Sequence, residues 1–107
     1  MTDCVRSEAY LVTLDELPPT RVVDLCTRVN GMVVQQASTA QLIFPIPRLV
    51  AYVSTFMTLR AGDVIVTGTP GGVGAKRQPP LWLRPGDVVE VDISFVGVLR
   101  NPVAQED

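Results

Sequence analysis

The sequence contains no histidine. That removes the commonest general base at neutral pH, the Ser–His and Cys–His nucleophile pairs, and imidazole metal ligation. Chemistry done by this chain alone has to use carboxylates, Lys76, tyrosines or a metal held by oxygens. Cysteine is scarce. Cys4 and Cys26 show neither metal spacing nor a disulfide framework, and Cys26 reads as a small buried filler. The N-terminal stretch Met1-Thr2-Asp3-Cys4-Val5-Arg6-Ser7-Glu8 has no apolar core of the kind a secretory signal needs. Thiols without such a signal suit a reducing compartment, so a cytoplasmic location is expected. Long hydrophobic runs are missing too; nothing approaches the roughly 20 apolar residues of a membrane helix, and no membrane partner is expected. Nor is there an excess of positive charge. The nine basic residues are scattered through a chain of net charge −2, singly apart from Lys76-Arg77, which leaves no basic stripe for nucleic acid.

What is present is apolar. A chain of 107 residues is one small domain at most, or a piece of one. Its hydrophobic content of 47% is high for that length. A small domain buries only about 60% of its unfolded surface, so part of this chain is expected to lie against a partner chain or a missing segment.

The chain is organised around Asp63-Val64-Ile65-Val66-Thr67-Gly68-Thr69-Pro70-Gly71-Gly72-Val73-Gly74. Val64, Ile65 and Val66 read as a short buried strand running into a glycine-rich loop. Glycines let backbone N–H groups approach a ligand without a Cβ in the way, and the Thr67 and Thr69 hydroxyls add donors. Such convergence suits a carboxylate or phosphate. A tight structural turn explains the same glycines, and the spacing leaves both explanations open.

The rest of the chain is local in character. Residues 1–9 are polar and unpatterned, and fraying is expected there. Tyr10 to Leu14 suits a short strand closed by Pro18-Pro19. Arg21 to Val29 and Met32 to Gln36 form the clearest hairpin, because Asn30-Gly31 supplies the positive-φ pair of a type I′ turn. Leu42-Ile43-Phe44 is odd for a surface loop and suits packing under a partner. Ile46, Leu49, Val50, Val53 and Met57 form an apolar stripe that predicts a helix from about Arg48 to Met57, with Pro47 in its first turn and the stripe in the core. Leu81-Trp82-Leu83 is an apolar patch beyond the stiff Lys76-Arg77-Gln78-Pro79-Pro80 connection. Val88 to Ile93 and Phe95 to Arg100 read as strands, with Asn101-Pro102-Val103 ending the ordered part. Arg60-Ala61-Gly62-Asp63 is echoed by Arg84-Pro85-Gly86-Asp87, each delivering an aspartate to a strand start; the echo is repeated turn chemistry.

No motif completes a catalytic set. The glycine loop is not a phosphate-binding P-loop, since Lys76 is followed by Arg77, and it lacks the third glycine of a dinucleotide fingerprint. Glu90 and Asp92 share a strand face, as a hard-cation site wants, but a solvated outer face explains them as well. Lys76 and Arg77 suit either an anionic ligand beside the loop or a plain solvated connection. The residues alone predict a mixed α/β unit, mostly β, with one helix and an anion-ready loop.

Several segments taken together resemble a known family. They are Val29-Asn30-Gly31, Gln35, Ser38-Thr39, Ile43-Phe44, Phe56-Met57-Thr58-Leu59, Gly62-Asp63-Val64-Ile65, Thr67-Gly68-Thr69-Pro70, Gly72-Val73-Gly74, Pro79-Pro80, Pro85-Gly86-Asp87-Val88-Val89-Glu90 and Leu99-Arg100-Asn101-Pro102-Val103. From about Tyr10 to Val103 the chain resembles the C-terminal part of the fumarylacetoacetate hydrolase (FAH) catalytic domain, and residues 1–9 stand as an unmatched segment before a partial domain over 10–107. The resemblance implies part of an FAH-type β-roll and a homodimer, or a heterodimer with another FAH-like chain. It implies hydrolase, decarboxylase or isomerase chemistry on small 2-oxo or enolic dicarboxylates of the acylpyruvate, oxaloacetate or hydroxymuconate type. In that family Mg²⁺ or Mn²⁺ stabilises an enolate. The resemblance assigns substrate-carboxylate contact to Thr69, with Gly68 beside it. It assigns no catalytic residue and no metal ligand here: the family's Glu-x-Glu strand, later aspartate, substrate lysine and lid lie upstream of the matched region, and Glu90 and Asp92 match a different strand. Ser38 stands where the family usually has asparagine. The expectation is part of a metal-dependent enzyme, inactive alone; the alternative is a non-enzymatic module that pairs with a full-length relative through Leu42-Ile43-Phe44 and the adjoining strands.

Overall fold

The computed structural model describes residues 2–4, by their backbone alone, and residues 11–105. Asn30 (φ 52°) and Gly31 (φ 81°) make the expected type I′ turn between β2 (Asp24–Val29) and β3 (Met32–Ser38). The hairpin is not regular. Thr27 faces Gln35 while Arg28 faces Val33, so Val34 is the extra residue of a β-bulge. On the other side β2 pairs with β4 (Val88–Ile93), which pairs with β5 (Gly97–Gln105). The end of β5 takes on β1 (Thr2–Cys4), and the full order is β1-β5-β4-β2-β3 with every pair antiparallel. β1 comes from the stretch expected to fray, and β5 runs two residues past the expected end at Val103.

Register assigns the faces. Leu25, Thr27 and Val29 lie opposite Ile93, Val91 and Val89, and Val91 and Val89 lie opposite Leu99 and Asn101. Cys26, Arg28, Glu90 and Asp92 therefore point to the other face. The first face carries the centre of packing, with Val103 and Asn101 the only buried residues among those described.

The helix α1 (Ile46–Ser54) starts earlier and stops earlier than its stripe predicts, with Pro45 as N-cap and Pro47 inside the first turn as expected. Ser54 Oγ donates to Ala51 O at 2.8 Å and Thr55 Oγ1 to Tyr52 O at 2.7 Å. Such back-bonding competes with the helical ladder, which suits a stop there. The stripe expected in the core is mostly open: Leu49 and Val53 are half-buried, while Ile46, Val50 and Met57 are exposed. Tyr52 and Phe56 meet edge-on on its surface, with ring centroids 5.4 Å apart.

Two expected strands are absent. Residues 11–13 are irregular and lead into a short 3₁₀ turn at Leu14–Glu16, while Tyr10 lies outside the described residues. The run Val64-Ile65-Val66 forms no ladder, and Val64 and Val66 are 84% and 90% exposed. Its apolar character is that of a buried strand, but a strand needs partners for its N–H and C=O groups and the sheet places none beside it.

The two echoed turns match in detail. Asp63 N donates to Arg60 O and Asp87 N to Arg84 O, both at 3.0 Å. The Asp63 and Asp87 carboxylates each accept the N–H of the turn's arginine at 2.8 Å, and Gly62 and Gly86 sit at φ 94° and 91°, the type II geometry.

The chain is under-covered for its size. Its accessible surface is 8453 Å², about 2,600 Å² more than a folded monomer of this mass presents. Its radius of gyration is 16.0 Å against about 13 Å for a compact chain of this length. Among the described residues no helix is long and apolar enough to cross a membrane.

Candidate functional site

The bulge in β3 builds the site. It brings Gln35 towards the glycine loop, where its Nε2 donates to Thr69 Oγ1 at 3.2 Å and to Pro70 O at 3.0 Å. A carbonyl only accepts, so the Pro70 contact fixes which end of the amide faces the loop. Two residues beyond Pro70, the chain presses onto the bulge itself. A Cβ at Gly72 (φ 102°) would sit 2.3 Å from Val34 O. Arg77 closes the clamp: Nε donates to Gly72 O at 3.1 Å and Nη2 donates to Val34 O. Arg77 is thus a structural tie between loop and hairpin, not the anion-greeting cation that its place beside the loop allowed.

The glycines divide into two kinds. Gly72 and Gly74 are points of close approach; a Cβ at Gly74 would lie 2.1 Å from Leu81 O, and Gly74 O accepts from Leu81 N at 2.8 Å. Gly68 (φ 96°) and Gly71 have nothing within 4 Å of where a Cβ would be. Tight packing therefore explains half of the loop, while Gly68 and Gly71 stand open.

Thr69 lies in the wall between two cavities. One, about 660 Å³, is bounded by Thr27, Val29 and Val89 of the sheet, by Gly72 and Gly74, and by Trp82. The other, about 470 Å³, lies between Thr67-Gly68-Thr69 and the Leu42-Ile43-Phe44 loop, with Leu49 of α1 behind it. Ser38 at its edge accepts from Ala40 N at 3.1 Å and opens the 3₁₀ turn Thr39–Gln41. Ile43 is 89% exposed, and Arg48 lies over the Phe44 ring at 5.2 Å.

The carboxylates are engaged elsewhere. Arg28 Nη2 reaches Asp92 Oδ2 at 3.1 Å and Glu90 Oε2 at 3.7 Å, on the sheet face opposite Thr27 and Val89. The hydrogen bond that Arg28 donates to Asp92 raises the Arg28 pKa further, so this is an ion-paired, half-exposed triad. Cys26 is half-buried beside it, its sulfur 3.6 Å from Arg28 Nη1. Asp87 is held below the usual carboxylate range, first by the Asn30 side-chain amide at 2.9 Å and then by the Arg84 N–H. Asn30 Oδ1 in turn accepts from Val88 N at 2.9 Å, so the hairpin turn and the second Gly-Asp turn are one bonded unit.

Of the residues singled out in sequence, Gly68 and Thr69 come together with Ser38 at one cavity, whereas Glu90 and Asp92 do not join them. Gln35 and Arg77 carry contacts that sequence reasoning missed. The advance signals for Gln35 were its place among the residues of the family resemblance and a polar residue following Val33-Val34; neither assigned it a contact, and the bulge that re-aims it leaves no trace in the alternation.

A family model described as Fumarylacetoacetate (FAA) hydrolase C-terminal matches residues 4–104. The human protein "Oxaloacetate tautomerase FAHD2B, mitochondrial" is 47% identical over 93 residues, covering 87% of this chain and 30% of the relative. The fumarylacetoacetate hydrolase of Exiguobacterium antarcticum superposes with a TM-score of 0.81 at 44% identity, over 89% of this chain and 34% of that one. Maleylpyruvate hydrolase from Sphingobium sp. SYK-6, in complex with manganese(II) ion and pyruvate, gives 0.77 at 35% identity, over 91% and 34%. The chain spans about a third of the length of each. The residues described here do not fit such a metal. Among them no group of three His, Cys, Asp or Glu could hold an ion, and the walls around Thr69 offer hydroxyl, amide and backbone but no carboxylate.

Proposed function

The chain belongs to the fumarylacetoacetate hydrolase family, and from that premise we propose that it supplies the carboxylate-binding wall of a site for small 2-oxo or enolic dicarboxylates. Thr69 is the substrate-contacting residue and Gly68 lends its open backbone beside it. The observation that carries this reading is the Thr69 hydroxyl, held by Gln35 at the edge of two cavities next to a glycine with no atom in front of it. The chemical step, whether hydrolysis, decarboxylation or tautomerisation, needs a Mg²⁺ or Mn²⁺ centre that the described residues do not build. The chain therefore works as one part of a complete FAH-type site, completed by another FAH-like chain.

The pure protein with millimolar Mn²⁺ or Mg²⁺ is expected to show no turnover of oxaloacetate or acylpyruvates and no metal-induced rise in melting temperature. Adding the preceding two thirds of a family relative as a separate chain is expected to restore turnover. Metal-dependent activity of the pure chain overturns the proposal. A second reading is supported by the openness of Ile43 and Phe44: a non-catalytic module that pairs with a full-length relative through Leu42-Ile43-Phe44. Co-elution with that relative, without any gain of activity from the N-terminal portion, favours the module.

A further inference from the structure

We propose that Gln35 is the positioning residue that makes Thr69 a hydrogen-bond donor, and that the site's preference for an anionic oxygen is thereby set from the hairpin. The inference rests on the carboxylate-wall reading of the loop. Both protons of the Gln35 amide are committed, one to Thr69 Oγ1 at 3.2 Å and one to Pro70 O at 3.0 Å. A hydroxyl has one proton and two lone pairs. With one lone pair held by Gln35, the Thr69 proton is directed away from the amide, towards space bounded by Gly68 and the cavities. A ligand oxygen arriving there meets a donor. A ligand N–H meets that same proton, and one of the two lone pairs it would need is already taken.

The arrangement does not come from the loop itself. Val34 is the inserted residue of the bulge, and its carbonyl is the surface on which Gly72 lies and to which Arg77 is tied. Gln35, the next residue, is therefore held at a fixed distance from Thr69. Without the bulge the register would slip by one residue and turn Gln35 to the opposite face of the sheet.

The test uses the full chain, with pyruvate as the probe and backbone amide shifts of Gly68 and Thr69 as the readout. Gln35→Glu replaces a donor by an acceptor of the same shape, which draws the Thr69 proton to itself. Pyruvate affinity is expected to fall about 10- to 100-fold at neutral pH, the worth of one hydrogen bond to a charged group. It is expected to recover as pH falls towards about 4.3, where the introduced carboxyl regains a proton and can donate again. Gln35→Leu, which frees the hydroxyl without reversing it, is expected to lose less. Wild-type affinity in Gln35→Glu, or a loss that acidification does not restore, overturns the positioning role, since a merely structural defect has no reason to follow that titration. If the wild-type chain binds no pyruvate, it is the carboxylate wall that fails. Gln35 is then judged by the Thr69 hydroxyl proton: it must become slowly exchanging in Gln35→Glu, and an unchanged exchange rate overturns the role.

Discussion

Alanine substitution at Gly68, Gly71 and Gly72 separates backbone strain from close approach, because the three positions carry different loads. Gly71 has neither a positive φ nor a neighbour within 4 Å. Gly71→Ala is expected within about 0.5 kcal/mol of wild type. Gly68→Ala meets no atom but must hold φ 96°, a region that costs about 1–3 kcal/mol for a residue with a side chain. Gly72→Ala adds a clash to that strain, with Cβ 2.3 Å from a backbone oxygen that cannot swing aside. The loop has to lift off the bulge, and the bonds Gln35–Thr69, Gln35–Pro70, Arg77–Gly72 and Arg77–Val34 go with it. At about 0.5–1.5 kcal/mol each for neutral pairs, and more for the guanidinium, undocking is worth several kcal/mol, and that docking energy caps the penalty. Hydrogen exchange of the 67–74 amides reads the effect locally: protection is expected to survive in Gly71→Ala, weaken in Gly68→Ala and collapse in Gly72→Ala. Equal loss of protection in Gly71→Ala and Gly72→Ala would refute the assignment of Gly72 as a contact point.

Two further outcomes follow from the bonded turns. Asp87 has a lowered pKa, so the stability it contributes is present above the ordinary carboxylate range and is lost as pH falls through its folded value; Asn30→Ala removes the leading cause and is expected to flatten the acid limb of urea midpoints measured from neutral pH to about pH 3. Arg77→Met keeps the apolar stem but removes donors to Gly72 O and Val34 O. It is expected to raise loop exchange rates about 10- to 100-fold while leaving β2–β4 protection unchanged, and equal loosening in both regions would contradict a local tie.

The parts that sequence read correctly are those whose signal is local. Asn30-Gly31 demands a particular turn wherever it sits, and the Arg-x-Gly-Asp echo specifies its own hydrogen bonds, so the hairpin and both turns were legible. The alternation of Val89, Val91 and Ile93 gave the face of β4 for the same reason. What failed were two inferences that needed a neighbouring element. The Val64-Ile65-Val66 run has a buried strand's composition without a neighbouring strand, and the stripe on α1 has a core helix's spacing without a core to face. At the candidate site, the glycine loop and the family likeness pointed to Thr69 and Gly68, whose contact with substrate stands as our proposal. The role of Gln35 was not legible, because it is created by an inserted residue, Val34, just before it on β3. Arg77 was misjudged because charge beside a loop looks the same in sequence whether it faces a ligand or a carbonyl.

These failures have one physical origin, and the uncovered area measures it. A standard protein interface buries about 800 Å² on each partner, so an excess near 2,600 Å² matches several such contacts or one obligate interface of the larger class. The exposed apolar side chains are not scattered. Val64 and Val66 flank the loop before Thr67, Ile43 and Phe44 rim the cavity beside Gly68, and Trp82 rims the other. Apolar surface thus lies along both cavities that Thr69 separates. An anion-binding hydroxyl gains most when water is excluded, since a hydrogen bond in a low-dielectric site is stronger than one competing with solvent. The same surface that leaves this chain under-packed is therefore what a covering segment would use to dry the proposed Thr69 wall, which would couple assembly of the fold to formation of the proposed binding site.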